Sequence, residues 1–361
     1  MKYYIYAIFS TPGGLVFEPD DNGMIIPSNN AKNLGDYVQS LAALRFLPRC
    51  DGFIGRDALA SYKGKDEICV IGNSWYRFKD EHHSIHEKIH LLPVSMHADG
   101  TDMSQAKGVM SKLRELGNNY DNGIGCRDYH TKKLFEVHGI KAYFSSCLTT
   151  TINLDIIGEK LKQVISDFGN DYQESDEYKK LKDSLSAIED SVLNDDYIAF
   201  VDFNHTNLKN CDWVMYPDSP FYRYRNFSKM QNTLNTILEN YKDHKSIYLS
   251  HAISNKLSPV EFLDMAYQYL SIYNKAKLVI TSRLHVSLPC LAMSTPVICI
   301  CKNFGHRMGT FKNMLNHIEI DNFNSQISVN NGKVKNSTNY KIYADTLIDT
   351  CTKFINTMKN K

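Results

Sequence analysis

Leu278-Val279-Ile280 is a short apolar run that passes directly into Thr281-Ser282-Arg283-Leu284-His285. A helix-like stretch, Val286–Met293, follows, then the turn residues Ser294-Thr295-Pro296 and a second apolar run, Val297-Ile298-Cys299-Ile300. Strand, helix and strand so close together describe a βαβ unit, which requires a parallel sheet with helices packed on it. Such a sheet also fixes an address for chemistry. Open α/β sheets bind ligands at the carboxyl ends of their strands, and helix N-termini there turn N–H groups toward anions. Arg283, a permanent cation, and His285, which titrates near neutrality, stand at that address. An arbitrary Arg-x-His is usually a surface ion pair beside a satisfied core histidine. A buried strand on either side takes this pair out of that category.

The same alternation runs through the chain. Strand signals cover Tyr3–Phe9, Glu67–Ile71, Ile89–Ser95, Gly123–Cys126 and Lys141–Ser145, with helical patterns over Tyr37–Leu47, Lys107–Leu116 and Tyr129–His138. Asp36 is placed to cap the first of these helices. The alternation resumes with strands at Tyr197–Phe203 and Ser246–Ser250, and helices at Ser228–Tyr241 and Pro259–Ala276. Residues 155–195 differ: they are rich in Lys, Asp and Glu, and their apolar period is modest. The expected division is an N-terminal Rossmann-like domain over 1–153, a charged helical connector over 154–195, a C-terminal Rossmann-like domain over 196–335 and a final helix over 336–361. The fold class is therefore α/β, with two doubly wound domains facing a cleft. A chain of 361 residues is long enough for two such cores.

Charge excludes some partners. Lys and Arg total 41 against 40 Asp and Glu, so no net field draws the molecule to nucleic acid or an anionic membrane. No run reaches the length of a membrane span. The apolar start lacks a basic leader and breaks at Thr11-Pro12-Gly13-Gly14, so it reads as a strand, not a signal peptide. The nine cysteines are odd in number, scattered and without a Cys-x-x-Cys pair, which fits reduced thiols in the cytoplasm.

Several polar residues share the address of a strand's carboxyl end: Asn73 in the Gly72–Trp75 turn, His97, Arg127, His251 and the Arg283/His285 pair. They come from both halves of the chain, as an interdomain active site requires. Each has a plainer reading. Arg127 pairs with Asp128 or another carboxylate, His97 and His251 bond to backbone, and Trp75 is buried rather than a sugar platform.

These residues carry a resemblance to the polysaccharide pyruvyl transferase family. The matching pieces are Asn33-Leu34-Gly35-Asp36-Tyr37-Val38-Gln39-Ser40, Ile124-Gly125-Cys126-Arg127-Asp128, and Thr281-Ser282-Arg283-Leu284-His285 with Ser294–Ile298 behind it. The resemblance implies a glycosyltransferase-B-like pair of Rossmann-like domains. It also implies transfer of a pyruvyl group from phosphoenolpyruvate to two hydroxyls of a saccharide or lipid-linked glycan, forming a cyclic ketal, with no cofactor and no metal. In that frame Arg283 grips the donor, His285 protonates the enol carbon, and Ser282 lies beside them on the substrate. Arg127 is a second anion-binding candidate. Asn33, Gly35 and Asp36 shape the rim toward the acceptor, with Asn73, His97 and His251 as further substrate contacts. The implied location is cytoplasmic, at most peripheral on the inner face of a membrane. A permanent cation and a group titrating near the working pH suit a substrate that is both anionic and protonated in the reaction.

Two departures from the family pattern bear on substrate. Val286 follows the motif His where Gly is common, and its branched side chain is expected to narrow the mouth. The turn after Ile71 is Gly72-Asn73 rather than Gly-Gly. Other signals read as plain structure. His82, His86 and His90 recur at helical spacing in a very polar segment with no Cys nearby, Cys299 and Cys301 share one face of a buried strand, and Tyr222-Arg223-Tyr224-Arg225 reads as a basic loop as readily as a glycan contact. Two competing functions remain. A nucleotide-sugar glycosyltransferase would bind a nucleotide diphosphate, but the C-terminal half lacks an acidic pair suited to ribose. A non-catalytic glycan binder would have no need of Arg283 and His285 together.

Overall fold

Apolar runs bounded by turn residues become parallel strands buried on both faces. The computed structural model describes residues 1–7, 16–19, 25–28, 31–55, 58–60, 62–73, 75–76, 85–98, 107–168, 174–192, 195–202, 226–254, 257–301 and 304–361. The chain divides into two units. The first holds Met1–Ser10, Asp36–Asp167 and Tyr340–Lys361, and the second holds Thr11–Gly35 and Phe168–Asn339.

In the first unit, parallel strands lie in the order Gly52–Gly55, Lys2–Ala7, Ile68–Gly72, Ile89–Pro93. Ile68–Gly72 is buried along its whole length, as an inner strand of a parallel sheet must be. A parallel pair, Ile124–Cys126 with Ala142–Phe144, attaches through the bridge between Met96 and Cys126. Tyr6, Val70, Leu91, Met96, Leu113 and Phe135 share one core. The C-terminal helix Lys341–Lys359 belongs to this unit and buries Leu347, Cys351 and Ile355.

The second unit is built on a six-stranded sheet in the order Lys245–Leu249, Tyr197–Val201, Leu278–Thr281, Val297–Cys301, Asn316–Glu319, Asn324–Gln326. All neighbours are parallel except the last pair. Tyr197–Val201, Leu278–Thr281 and Val297–Cys301 are buried throughout. The edge strand Lys245–Leu249 instead exposes Lys245, Ser246 and Tyr248 and buries Ile247 and Leu249. The strand order reverses at Tyr197–Val201, with Lys245–Leu249 added on one side and Leu278–Thr281 on the other. That reversal is the topological switch point of the sheet. Helix Pro259–Lys275 starts at a capping box: Ser258 Oγ accepts from Glu261 N at 3.2 Å and Glu261 Oε2 accepts from Ser258 N at 2.7 Å, with Pro259 in the first turn.

The α/β expectation with parallel sheets holds in both units. The expected boundaries differ from the observed ones. No separate connector spans 154–195: Leu154–Phe168 is counted with the first unit, burying Ile157, Leu161 and Val164, and Asp176–Val192 with the second. Lys160, part of the charged pattern, donates through Nζ to Arg45 O and Leu47 O at 2.5 and 2.6 Å, so its charge serves packing rather than a solvated face. Asp36 is not a helix cap. The helix is Leu34–Leu44, and Asn33 Oδ1 accepts from Gly35 N at 3.1 Å in the manner of an N-cap. Val286 is fully buried in helix Leu284–Ala292 and narrows no mouth, because that helix is apolar and buried from Leu284 to Leu291.

The remaining side signals are structural where they are described. Cys299 and Cys301 are buried thiols, and burial raises the Cys299 pKa to about 11. His90 Nε2 meets Glu67 Oε2 at 3.0 Å, while His82, His83, Ser74 and Tyr222–Arg225 lie outside the described residues, as does the side chain of Trp75. Among the described residues no group of three His, Cys, Asp or Glu is arranged to hold a metal ion, and no helix is long and apolar enough to cross a membrane.

Gly123 carries the turn into Ile124–Cys126 with φ +79°, and a Cβ there would lie 2.2 Å from Lys141 O. Both the backbone region and the contact exclude a side chain. Gly123→Ala is expected to lower stability by at least about 2 kcal/mol, read as a fall in the urea midpoint. An unchanged midpoint would contradict this packing.

Candidate active site

At the switch point of the second unit the chain does something costly. Asp202, the first residue after Tyr197–Val201, adopts φ +50°, a left-handed conformation that a non-glycine residue takes at a cost of about 1–2 kcal/mol. The bend turns its nearly buried carboxylate toward a set of donors. Arg283 Nε donates to Oδ2 at 2.5 Å, Ser250 Oγ donates to Oδ1 at 2.8 Å, and His251 N lies 3.3 Å from each oxygen. Burial alone would raise the Asp202 pKa, but the Arg283 charge, His251 and the hydrogen bonds from Ser250 and Arg283 together outweigh it and hold the carboxyl below its ordinary value.

Arg283 is the N-cap of helix Leu284–Ala292. Its own N–H is donated to Thr281 Oγ1 at 3.0 Å, and Thr281 Oγ1 donates to Val201 O at 3.0 Å, so the turn is bound to the neighbouring strand. Only the Nε edge of the guanidinium faces Asp202. Among the described residues its two terminal nitrogens have no hydrogen-bond partner, and such a pair is what an arginine uses to bind a planar anion as a fork. Ser282 is nearly buried and turns its Oγ inward to Asp202 O at 3.4 Å, shaping the turn.

His285 sits one residue into the helix and is 4% exposed. Pro289, four residues later, has no N–H to return to the His285 carbonyl, so the helix ladder is interrupted above the histidine. Gly35 approaches the ring: a Cβ built on it would be 3.0 Å from His285 Nδ1 and 3.1 Å from Asn33 Oδ1. Asn33 and Gly35 reach this place because the strand Ala31–Asn33 pairs antiparallel with Ala252–Ser254, and Leu34 N donates to His251 O at 2.8 Å. The structure therefore gathers Asn33, Gly35, His251, Ser282, Arg283 and His285 on one unit.

His251 is a buried aromatic partner rather than a strand-end histidine bound to backbone through its ring. Nε2 lies 2.9 Å from Tyr273 Oη, and the ring meets Tyr269 and Tyr273. Burial lowers its pKa from 6.5 to about 4, with Asp202 opposing and Arg283 reinforcing the shift.

Asp36, Asn73, His97 and Arg127 lie in the first unit: Asp36 in the first turn of helix Leu34–Leu44, His97 opening the short strand His97–Ala98, and Asn73 and Arg127 directly after strands. Asn73 follows Ile68–Gly72, and its Nδ2 donates to Gln39 O at 2.7 Å, which leaves Oδ1 buried without a partner among the described residues. Arg127 follows Ile124–Cys126, is fully buried, and donates its backbone N–H to Met96 O at 2.8 Å. Burial lowers its pKa, opposed by Cys147, Asp128 and Asp36. Asp128 and Arg127 act on each other electrostatically, while the Asp128 oxygens bond elsewhere. One oxygen lies 2.5 Å from His97 Nδ1 and the other accepts from Thr131 N at 2.8 Å. Ser95 and Ser146 also take left-handed backbone, at φ 54° and 64°, with buried hydroxyls that lack a partner among the described residues. A groove of about 830 Å³ in this unit, lined by Ile89, Tyr120, Tyr143 and Phe354, contains none of the candidate residues.

Asp202, Ser95 and Ser146 escaped the sequence reading. Asp202 lies inside what reads as one strand to Phe203, and the only signal for it was an acidic residue at an apolar run's end. The two serines gave no signal, since left-handed backbone is expected of Gly or Asn.

Fold and site together define an α/β protein of parallel sheets whose candidate chemistry stands at strand ends, with an arginine and a histidine presented at a switch point. The chain belongs to the polysaccharide pyruvyl transferase family, whose model matches residues 33–300. Among curated proteins none matches the sequence. Solved structures similar to it include an uncharacterized protein of Klebsiella pneumoniae, 11% identical, with 86% of each chain covered and a TM-score of 0.35. UDP-GlcNAc 2-epimerase of Methanocaldococcus jannaschii is 12% identical, with 89% of this chain and 82% of that one covered and a TM-score of 0.35. ADP-heptose LPS heptosyltransferase II of E. coli is 9% identical, with 99% and 100% covered and a TM-score of 0.25. Likenesses this distant carry no weight for the chemistry.

The His251 shift has a measurable consequence. Below pH 6.5 the unfolded histidine takes up a proton that the folded one refuses until about pH 4. Stability is therefore whole above that window and is lost as pH falls through it, by about 3 kcal/mol in all. Chemical denaturation of wild type and His251→Gln across the window should show a shallower pH slope in the variant. Equal slopes would mean that His251 is protonated in the fold.

Proposed function

We propose that this chain transfers a pyruvyl group from phosphoenolpyruvate to two hydroxyls of a saccharide, free or lipid-linked, closing a cyclic ketal. The observation that carries the reading is Arg283, held by Asp202 through its Nε edge one residue before the helix that bears His285. A fixed fork for an anion and a titratable ring share one rigid turn, which is what a substrate carrying phosphate and carboxylate and needing a proton calls for. Family membership supports the same reading.

In the reaction, Arg283 binds an anionic group of the donor and His285 delivers a proton to the enol carbon C3. Charge then develops at C2, where a sugar hydroxyl attacks; phosphate leaves, and the second hydroxyl completes the ketal. Arg127, at a strand end of the first unit, is a second anion-binding candidate. Asn33, Gly35, Asp36 and Asn73 serve the acceptor, and His251 supports the turn that holds Asp202. The work is assigned to the cytoplasm.

Thermal unfolding with phosphoenolpyruvate, UDP and GDP tests this. A ligand specific to the folded state stabilises it by about 2.7 kcal/mol at a hundredfold excess over Kd. Phosphoenolpyruvate is expected to raise Tm of wild type and to lose that effect in Arg283→Ala. Removing the arginine leaves Asp202 buried and unpaired, at a cost of about 3–5 kcal/mol, so the ligand-induced shift is compared rather than the midpoint. Arg283→Lys retains a charge for Asp202 but not the fork, and should bind at least about tenfold more weakly. Stabilisation by a nucleotide diphosphate alone would overturn the proposal.

A further inference from the structure

The groove of about 830 Å³ in the first unit has no part in the chemistry described so far. It follows from a split in the sheet. Ile68–Gly72 pairs with Ile89–Pro93 along its whole length, but the next parallel pair, Ile124–Cys126 with Ala142–Phe144, is joined to that sheet through the bridge between Met96 and Cys126. Among the described residues no ladder joins them short of that bridge. The groove lies there, walled by the end of helix Lys107–Asn118 and the second half of helix Lys341–Lys359. All its lining residues belong to the first unit.

The lining excludes several kinds of occupant. Ile68 N donates to Lys88 O and Val94 N to Gly72 O, so the odd-numbered residues of Ile89–Pro93 turn their backbone groups to the outer edge. Of these, Ile89 N donates to His86 O at 2.9 Å, Leu91 O accepts from Tyr120 Oη, and Pro93 has no N–H. An extended peptide would find no ladder to join. The charges are paired or balanced. Lys353 Nζ lies 2.6 Å from Asp349 Oδ2 and His90 Nε2 3.0 Å from Glu67 Oε2, while Lys112 and Lys361 stand against Glu87, Glu115 and Asp121. Such a lining draws in neither a polyanion nor a polycation. A hydrocarbon chain would strip those charged groups of water.

A neutral, hydroxylated ring fits what is left. Tyr120, Tyr143 and Phe354 line the groove. The hydroxyl of Tyr120 is fastened to Leu91 O and that of Tyr143 to Thr350, so both rings are fixed faces before a ligand arrives. Asn119 and Asn122 stand exposed on the same lining and bring both donors and acceptors. A pyranose offers the matching surfaces, a C–H face for an aromatic ring and a rim of hydroxyls for the amides. The volume falls within the range of about 300–1,000 Å³ usual for ligand clefts. A five-residue strand runs about 16 Å, which gives the groove length for more than one ring.

We propose that this groove binds a neutral oligosaccharide stretch of the glycan acceptor, apart from the candidate catalytic residues; this rests on the reading of the chain as a saccharide-modifying enzyme. Full-length protein is titrated calorimetrically with gluco-, galacto-, manno- and N-acetylgluco-oligosaccharides, the matching monosaccharides and a polygalacturonate fragment. At least one neutral oligosaccharide is expected to bind with Kd of about 1 mM or below, and its monosaccharide about tenfold more weakly. Asn119→Trp and Thr357→Trp fill the groove from opposite walls and should each weaken that binding about tenfold or more. Both positions are exposed, so the fold is expected to be kept, with an unchanged Tm as the check. Should one variant fail to fold, the other decides. No binding across the neutral set, binding unchanged in the folded variants, or a preference for polygalacturonate would overturn the proposal. If an oligosaccharide binds in the groove while phosphoenolpyruvate leaves Tm unmoved, the donor reading fails and the groove stands. Stabilisation by phosphoenolpyruvate with no oligosaccharide bound is the reverse outcome, so the two failures are distinguishable.

Discussion

The second unit depends on one ion pair. The Asp202 side chain is nearly withdrawn from water and the Arg283 side chain is partly so, and without the arginine the carboxylate would be an uncompensated buried charge. Together with Ser250 Oγ and the His251 N–H they close a network that joins the ends of Lys245–Leu249, Tyr197–Val201 and Leu278–Thr281. A buried pair of this kind contributes little net stability compared with apolar packing. Its value lies in direction: the guanidinium is fastened by one edge, so its other edge is presented in a fixed plane. Lysine offers no second edge. The left-handed backbone of Asp202 is the local cost of aiming the carboxylate, and it is offset by the donors it gathers.

The first unit solves a related problem differently. Its left-handed residues, Ser95 and Ser146, lie two positions past the ends of Ile89–Pro93 and Ala142–Phe144. Ser95 N donates to Ser145 Oγ at 3.0 Å, and Ser145 Oγ donates to Cys126 O at 3.1 Å, so the polar strand ends are sewn to one another by side chains. Asp202, Ser95 and Ser146 thus take left-handed backbone where sheet strands give out, the place at which open sheets present ligands, while Ser294 and Asn331 do so after a helix and in a hairpin turn. Asp128 belongs to the same economy of structure, capping a helix with one oxygen and orienting a histidine with the other.

How much of this was legible in the sequence follows from what each signal reports. Apolar runs such as Leu278–Thr281 and Val297–Cys301 report burial on both faces, so their strands and the turn carrying Arg283 and His285 could be placed directly. Caps and partners are set by pairing between segments far apart in the chain, and one sequence does not report that. Asn33 rather than Asp36 caps the Leu34–Leu44 helix because Ala31–Asn33 is held by Ala252–Ser254, more than two hundred residues away in sequence. The pairing of His97 with Asp128 and of Arg283 with Asp202 was invisible for the same reason. The charged stretch over 154–195 misled in the opposite way. Its lysines suggested a solvated connector, but its sparse apolar residues suffice to seat each helix on a unit.

The position of His285 is constrained from several directions. The helix that bears it is buried on every side from Leu284 to Leu291, so it cannot rotate to re-aim the ring without exposing apolar surface. Its first residue is pinned through Arg283, the residue before it, by Asp202. The ring itself is met from the other side by the backbone of Gly35, at a distance that leaves no room for a methyl group to be added without displacing the ring. Val286 lies on the inner side of this arrangement, and a change there would act through core packing before it reached any substrate. Within such a frame the acid of the proposed reaction has one available position. Differences in which saccharide is accepted must therefore arise from groups with more freedom than His285, at strand ends and loops away from this helix.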